Sequence, residues 1–258
     1  MKTIAISIVT YNSQDVFETL DNIVEVLIPQ GNIEVYLFDN HSSEEYRVKL
    51  KAYQSLIKIH FYHENMGFGY GHNYNLSLSQ EDYFIVYNPD ILISATNLVV
   101  MYEFMEQNLE IAMSVPKVLN VDGSTQHLIR RKLDVFDYLL RFIPIDGVRK
   151  LFDKRLATYE CRDLTEDRQP ILFGSGCFMF FRTSKLRKIK GFDEQFFMYF
   201  EDNDICQRLR AENETIYYLP DAQVTHFYAK GAHKSKRLFK IFLKSMIQYF
   251  NKWGWTFF

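Results

Sequence analysis

Short apolar runs in the first ninety residues repeatedly stop at clusters of polar or acidic side chains, and this pattern constrains the fold more than any other feature. Ile4-Ala5-Ile6-Ser7-Ile8-Val9 ends in Thr10-Tyr11-Asn12-Ser13, Ile33 to Phe38 ends in Asp39-Asn40-His41-Ser42-Ser43, and Tyr83-Phe84-Ile85-Val86-Tyr87 ends in Asn88-Pro89-Asp90. A further run over 57–62 leads into a glycine-rich segment, Asn65-Met66-Gly67-Phe68-Gly69-Tyr70-Gly71-His72-Asn73. Each run has the length and β-branched character of a buried strand. Between them lie helical stretches at 14–27, with Val16, Leu20, Ile23, Val24 and Leu27 on one stripe, at 44–56, and after the glycines. Pro29-Gln30-Gly31-Asn32 breaks the first helix. Strands alternating with helices predict an α/β fold with a mainly parallel central sheet flanked by helices. Ligands of such sheets bind outside the carboxyl ends of the strands, where these polar clusters fall.

Beyond the fourth strand the spacing predicts a helix over 97–110, strand character over 171–181, a helix near 201–212, a strand over 216–219 and a helix over 234–252. Residues 120–172, rich in Arg and Asp and interrupted by Pro144, Gly147 and Pro170, match no period. The expected organisation is a catalytic domain over 1–229, with a nucleotide-binding half (1–90) and an acceptor half (91–229), then a basic amphipathic helix over 230–258.

Composition narrows the setting. Cys161, Cys177 and Cys206 are too widely spaced for a metal motif and odd in number, which predicts a reducing, cytoplasmic compartment. The N-terminus reads as a first strand and not as an export signal, and no apolar run approaches 18 residues. The formal charge is −2, yet residues 230–258 hold seven basic residues (Lys230, Lys234, Lys236, Arg237, Lys240, Lys244, Lys252) and no acid, so the remainder carries −9. A basic tail of this kind predicts an anionic partner. Confinement of the charge to one short segment argues against nucleic acid.

Several constellations can carry chemistry. Gly67, Gly69 and Gly71 do not have dinucleotide-loop spacing; they make either a flexible turn or room for close backbone approach to a ligand. Asp90, emerging at a strand end, either caps the next element or binds Mg²⁺ or Mn²⁺ together with phosphate oxygens. In Gly191 through Asp204, three acids in four positions (Glu201, Asp202, Asp204) follow an aromatic run at a helix start. The helix dipole favours acids there, but a carboxylate against an apolar wall can also have its pKa raised to serve as a base. His226 is either a satisfied structural histidine or a nitrogen ligand to the same cation.

Taken together these blocks resemble the family 2 inverting glycosyltransferases of GT-A fold, over nearly the whole chain. The blocks are Ser7 to Ser13, Asp39 to Ser43, Asn65 to Asn73, Tyr87 to Asp90, Gly174-Ser175-Gly176 and Gly191 to Asp204. The N-x-G-F-G-x-G segment, the N-P-D triplet and the F-M-Y-x-E-D segment look most like a rhamnosyltransferase branch. That resemblance implies transfer of L-rhamnose from dTDP-rhamnose, or of another sugar from a UDP-sugar, onto a lipid-diphosphate-linked saccharide in surface polysaccharide synthesis. It implies a nucleotide-sugar site formed by Thr10, Tyr11, Asn12, Asp39, Asn65, Gly67, Gly69, Asn73, Asn88 and Asp90, with Asp39 accepting from the pyrimidine and the glycine segment over base, ribose and diphosphate. Asp90 and His226 would hold Mg²⁺ or Mn²⁺, Asn88 replacing the first acid of the usual D-x-D pair. Asp202 would be the general base with Glu201 beside it, and Lys230 or Lys234 would face the leaving diphosphate.

Lys236, Lys240 and Lys244 share a helix face, and Phe239, Phe242, Leu243, Met246, Phe250 and Trp253 supply apolar surface. The tail therefore either packs on the catalytic domain or lies on an anionic membrane, on the inner face of the cell membrane. Two rivals remain from the sequence: a nucleotidyltransferase, whose basic glycine loop after the first strand is replaced here by Thr-Tyr-Asn-Ser, and a non-catalytic sugar- or lipid-binding protein of the same fold.

Overall fold

In the computed structural model residues 2–131, 133–140, 150–227 and 236–258 are described. Lys230 and Lys234 lie outside them. The chain opens with β1 (Ile4–Thr10), α1 (Val16–Asn22), β2 (Ile33–Asp39), α2 (Glu44–Leu50), β3 (Lys58–Phe61), α3 (Phe68–Leu78) and β4 (Tyr83–Tyr87). It continues through β5 (Ile91–Ile93), α4 (Ala95–Gln107), β6 (Ile111–Leu119), α5 (Val135–Leu140), α6 (Asp153–Tyr159), β7 (Gln169–Ile171) and β8 (Phe178–Arg182). It closes with α7 (Thr183–Lys188), α8 (Glu201–Ala211), β9 (Thr215–His226) and α9 (Lys236–Trp253).

One sheet runs in the order β3-β2-β1-β4-β8-β6-β9-β5, with β7 also on β9. The strands β3, β2, β1 and β4 are parallel, as the alternation predicts. Beyond them the expectation of a mainly parallel sheet is corrected: β8 runs antiparallel to both β4 and β6, and β5 and β7 run antiparallel to β9. The sheet is therefore mixed.

Both faces are covered, so the strands alternate between two cores and not between core and water. Ile4, Ile6, Ile8, Tyr83, Ile85 and Tyr87 pack under α1 and α4; Ala5, Phe84 and Val86 pack under α3, α7 and α8. The stripe Val16, Leu20, Ile23 and Leu27 is fully buried, and the helix runs on through a π turn before Pro29 and Gly31 stop it.

Three expectations change at the level of elements. The glycine-rich segment is not a loop beyond Gly67: α3 starts at Phe68 and contains Gly69 and Gly71. The strand expected over 171–181 is interrupted by the Gly174-Ser175-Gly176 turn. Pro220 does not end the following strand, since β9 continues to His226 across a register shift.

The helix α9 packs Phe242, Met246, Tyr249 and Phe250 against Tyr138, Phe196 and Phe200. Burying Phe242, Met246 and Phe250 is worth roughly 5–9 kcal/mol by area bookkeeping. The inner apolar stripe of this amphipathic helix therefore covers the segment that leads into Glu201 and is not open to lipid.

Candidate active site

The topology gathers the acids at one edge. Pairing of β5 with β9 sets Ile91 opposite His226, so Asp90 arrives beside the end of β9, where its carbonyl accepts from the Phe227 N–H at 2.9 Å. His226 Nε2 stands 3.3 Å from Asp90 Oδ1. On the other side of the ring, Gln126 Nε2 donates to the His226 carbonyl and Gln126 Oε1 meets His226 Nδ1, each at 2.9 Å. That amide orientation puts the imidazole proton on Nδ1 and turns the Nε2 lone pair towards Asp90. Two acceptors facing each other are compatible only through a proton or a cation.

Asn88 Oδ1 and Asp90 Oδ1 are buried and make no hydrogen bond among the described residues. Among the described residues, no group of three or more His, Cys, Asp and Glu side chains is arranged to hold a metal ion by itself. Two protein ligands with one neutral amide nearby still suit Mg²⁺ or Mn²⁺, whose remaining positions are filled by phosphate oxygens and water. The residues present therefore fit a divalent cation held at Asp90 and His226.

The base candidate is reached from the same edge. The Asn88 N–H donates to the Cys177 carbonyl at 3.0 Å, and the neighbouring Gly176 N–H donates to Asp202 Oδ2 at 3.2 Å. A Cβ on Gly176 would lie 3.3 Å from Asp202 Cβ, so the turn is pressed onto this carboxylate. Asp202 also accepts from its neighbour's Asn203 N–H at 2.8 Å. Burial raises its pKa, with the Gly176 and Asn203 N–H groups and the charge of Arg130 opposing the shift. Glu201 is raised well above the ordinary carboxylate range, first by burial and then by the charge of Asp202. The Gly176 and Asn203 N–H groups favour charge on Asp202, whereas Glu201 Oε2 makes no hydrogen bond among the described residues.

Both acids begin α8 directly after Tyr199 and Phe200, which adopt left-handed backbone at φ 70° and 66°. Two bulky residues in that region cost on the order of 1–3 kcal/mol each. Phe200 is held there by rings of Tyr138, Phe242, Tyr249 and Phe250.

Asp39 lies at the end of β2, fully buried, and accepts from Arg47 Nε at 2.6 Å and from the Ser42 N–H. Arg47 also donates to the Tyr62 carbonyl. Sequence reasoning missed Arg47, which lies eight residues away on α2 with no motif to mark it. Thr10 is buried with its hydroxyl 2.5 Å from that of Tyr46, whereas Tyr11 is about half exposed. Asn12 is a staple: its N–H donates to Ser42 Oγ and its side chain accepts from the Ser43 N–H, tying the β1 turn to the β2 turn.

In the glycine segment the missing side chains make room for protein. Gly67 has φ +92°, and a Cβ there would meet the Phe197 carbonyl oxygen at 2.2 Å. A Cβ on Gly69 would meet Phe192, and one on Gly71 would meet Val9 and Phe38. These glycines make room for protein and bring α3 close to the sheet and to the segment before Glu201. Asn65 Oδ1 accepts from the Gly67 N–H, and the side chain of Asn40, just past the end of β2, clamps Met66 and Gly67. Asn73 is likewise committed: its amide donates to the Phe192 carbonyl and to Glu194, and its oxygen accepts from the Phe192 N–H. Its side chain ties α3 to the turn at Phe192–Glu194.

A cavity of about 140 Å³ adjoins this edge, sharing Gln126, Ser175 and Cys177 with it and lined further by Lys117, His127 and Tyr218.

The model of the glycosyl transferase family 2 matches residues 5–190. The chain belongs to that family. A second family model, described as the N-terminal domain of galactosyltransferase, matches residues 166–233, the stretch that carries Asp202 and His226. Over 175 residues this family 2 chain is 27% identical to the rhamnosyltransferase WbbL of Escherichia coli K12, covering 66% of this chain and 62% of WbbL. Over 71 residues it is 35% identical to the N-acetylglucosaminyl-diphospho-decaprenol L-rhamnosyltransferase of Mycobacterium tuberculosis, covering 28% of this chain and 23% of that one. The matched stretches thus span less than two thirds of these relatives. Among solved structures, GalNAc-T7 with UDP, GalNAc and Mn²⁺ superposes at TM-score 0.68 with 14% identity, over 96% of this chain and 48% of the other. TarS of S. aureus superposes at TM-score 0.61 with 15% identity, over 96% and 40%. At that identity the likeness carries the fold alone, which is GT-A.

Proposed function

We propose that this chain is an inverting glycosyltransferase that moves L-rhamnose from dTDP-rhamnose onto a saccharide linked through diphosphate to a lipid. The observation that carries the reading is the placement of a half-buried Asp202 carboxylate beside the Asp90–His226 site across the Gly176–Cys177 turn. One base and one edge suited to a diphosphate-bound cation are what a single in-line displacement needs. Asp202 takes the proton of the acceptor hydroxyl, the acceptor oxygen bonds to the anomeric carbon, and the bond from that carbon to the diphosphate oxygen breaks with its electron pair. Glu201 is the supporting acid beside it. A divalent cation at Asp90 and His226 would supply Lewis-acid stabilisation of the departing diphosphate.

The names of the two rhamnosyltransferase relatives support the choice of sugar, and the second supports a lipid-diphosphate acceptor. A UDP-sugar donor has weaker support, since GalNAc-T7 shares only the fold. On this reading Asp39, steadied by Arg47, reads the pyrimidine, with Tyr11 beside it. No helix among the described residues is long and apolar enough to cross a membrane. Because charged nucleotide sugars do not cross bilayers and a lipid-linked acceptor does not leave them, we place the enzyme at the cytoplasmic face of the cell membrane. Thermal-shift titration with dTDP-rhamnose, UDP-sugars and GDP-sugars, with Mn²⁺, tests the donor: dTDP-rhamnose should stabilise most, and a clear preference for GDP-sugars contradicts the assignment.

A further inference from the structure

The apolar inner stripe of α9 is occupied by the segment that leads into Glu201, but its outer face has a different pattern. Lys240, Lys244, Ile247 and Asn251 follow one another at helical spacing and are all exposed, Ile247 by 46%. Asn251 Oδ1 accepts from Trp255 Nε1 at 2.9 Å, which carries the stripe past the helix end. Trp255 is 43% exposed and stacks on Phe257, itself 62% exposed, with ring centres 5.5 Å apart. This hook is not a frayed end: the Thr256 and Phe257 carbonyls accept from the Val135 and Phe136 N–H groups at the start of α5. Residues 236–258 contain five basic side chains and no acid.

We propose that this outer stripe, with the Trp255–Phe257 pair as its apolar tip, docks the enzyme on an anionic lipid bilayer. A row of lysines ending in exposed, anchored aromatic rings matches the membrane interface, where ammonium groups meet acidic headgroups and Trp and Phe sit at the boundary with the acyl chains. The strip joins Lys240 and Lys244 to exposed rings without an acid, the combination a bilayer surface accommodates. The surface assignment deepens the lipid-linked acceptor reading, and it reverses the orientation expected from the sequence: the polar face of the amphipathic helix meets the membrane and its apolar face does not.

Flotation of the full chain with phosphatidylcholine vesicles containing phosphatidylglycerol tests it, beside vesicles of phosphatidylcholine alone. The wild type should float with the acidic vesicles, release as salt rises, and bind the neutral ones far less. Lys240→Ser/Lys244→Ser, which touches no packed side chain, should weaken binding on the order of tenfold. Trp255→Ser/Phe257→Ser should do likewise, with a melting temperature close to wild type confirming that the chain is folded. Wild-type chain that stays unbound to acidic vesicles, or variants that bind as tightly, overturn the proposal; so does a dimer in solution that the Trp255/Phe257 variant converts to monomer. Donor hydrolysis without vesicles is expected to be unchanged in both variants. Absence of hydrolysis in the wild type would count against the transferase reading instead, which separates the two failures.

Discussion

Trp253 donates its indole N–H to the fully buried carboxylate of Asp204 at 2.8 Å, and so ties the last turn of the C-terminal helix to the helix that begins with the candidate base. The same carboxylate takes Arg208 Nε and Lys252 Nζ, each at 2.7 Å, and Lys252 reaches on to Asp193. A buried acid with three cationic or N–H partners is stable only while the set is complete, because each donor lost leaves charge uncompensated. Through Lys252 and Trp253, the last turn of this helix therefore helps to position Asp202, two residues from Asp204.

Trp253→Phe keeps the ring and removes the donor. It should lower stability by about 1–3 kcal/mol, read as a drop in melting temperature. It should also reduce kcat with little change in donor Kd, since it acts on the placement of the α8 start. A loss of donor affinity equal to the loss of kcat would mean that the helix instead supports the nucleotide pocket.

Glu201 makes a signed prediction about pH. Its pKa is raised in the folded chain, so the native state binds its proton more readily than the unfolded state does. The stability this contributes is present below its ordinary value of 4.5 and is lost as pH rises above that value towards the folded pKa. Glu201→Gln, permanently neutral, should melt higher than wild type at pH 8, and the gap should close towards pH 4. A gap independent of pH in thermal melts would show that Glu201 is not the group strained by ionisation.

Glycine substitutions separate packing from ligand binding. Gly71→Ala sits inside α3, where helix propensity alone would favour alanine by about 1 kcal/mol. A Cβ there would stand 2.7 Å from Val9 Cγ2, so the net effect should be destabilising by about 1–3 kcal/mol in urea unfolding. Gly67→Ala should be worse, combining a contact of 2.2 Å to backbone with left-handed φ. If either variant is as stable as wild type yet loses donor affinity, the glycines face ligand after all.

Cation binding should depend on a residue that touches no cation. Gln126→Ala removes the partner that holds the His226 ring and its proton on Nδ1. Mn²⁺ affinity in the presence of nucleoside diphosphate, measured calorimetrically, should fall about 10–100-fold, with His226→Ala at least as severe. Unchanged affinity in both would remove His226 from the site.

Much of the fold and site is legible from residue order, and the failures have physical causes. Strand ends and acids can be read because a buried apolar run that halts at carboxylates marks a strand opening onto a polar edge, and Asp90 meets His226 as expected. The partner Gln126 is invisible because it arrives from a hairpin after β6 in a stretch with no periodic pattern. The glycine segment misleads because a missing Cβ records that something approaches, not what; here it is Phe197, Phe192, Val9 and Phe38. The tail stays open between two readings in the sequence, since an amphipathic stripe looks the same whether it faces a lipid or Phe200. Asn73 resembles a ligand contact only by its place in a motif, while its hydrogen bonds all go to the turn at Phe192 and Glu194.

The central claim is that Asp202 is the base of a sugar transfer, and the most direct test is Asp202→Asn, assayed for transfer from dTDP-rhamnose to a lipid-diphosphate-linked saccharide alongside calorimetric binding of dTDP with Mn²⁺. The account predicts transfer reduced by a factor on the order of 10²–10⁴ with dTDP affinity within a few-fold of wild type. Transfer preserved in the variant, or transfer and nucleotide binding lost together, would contradict it.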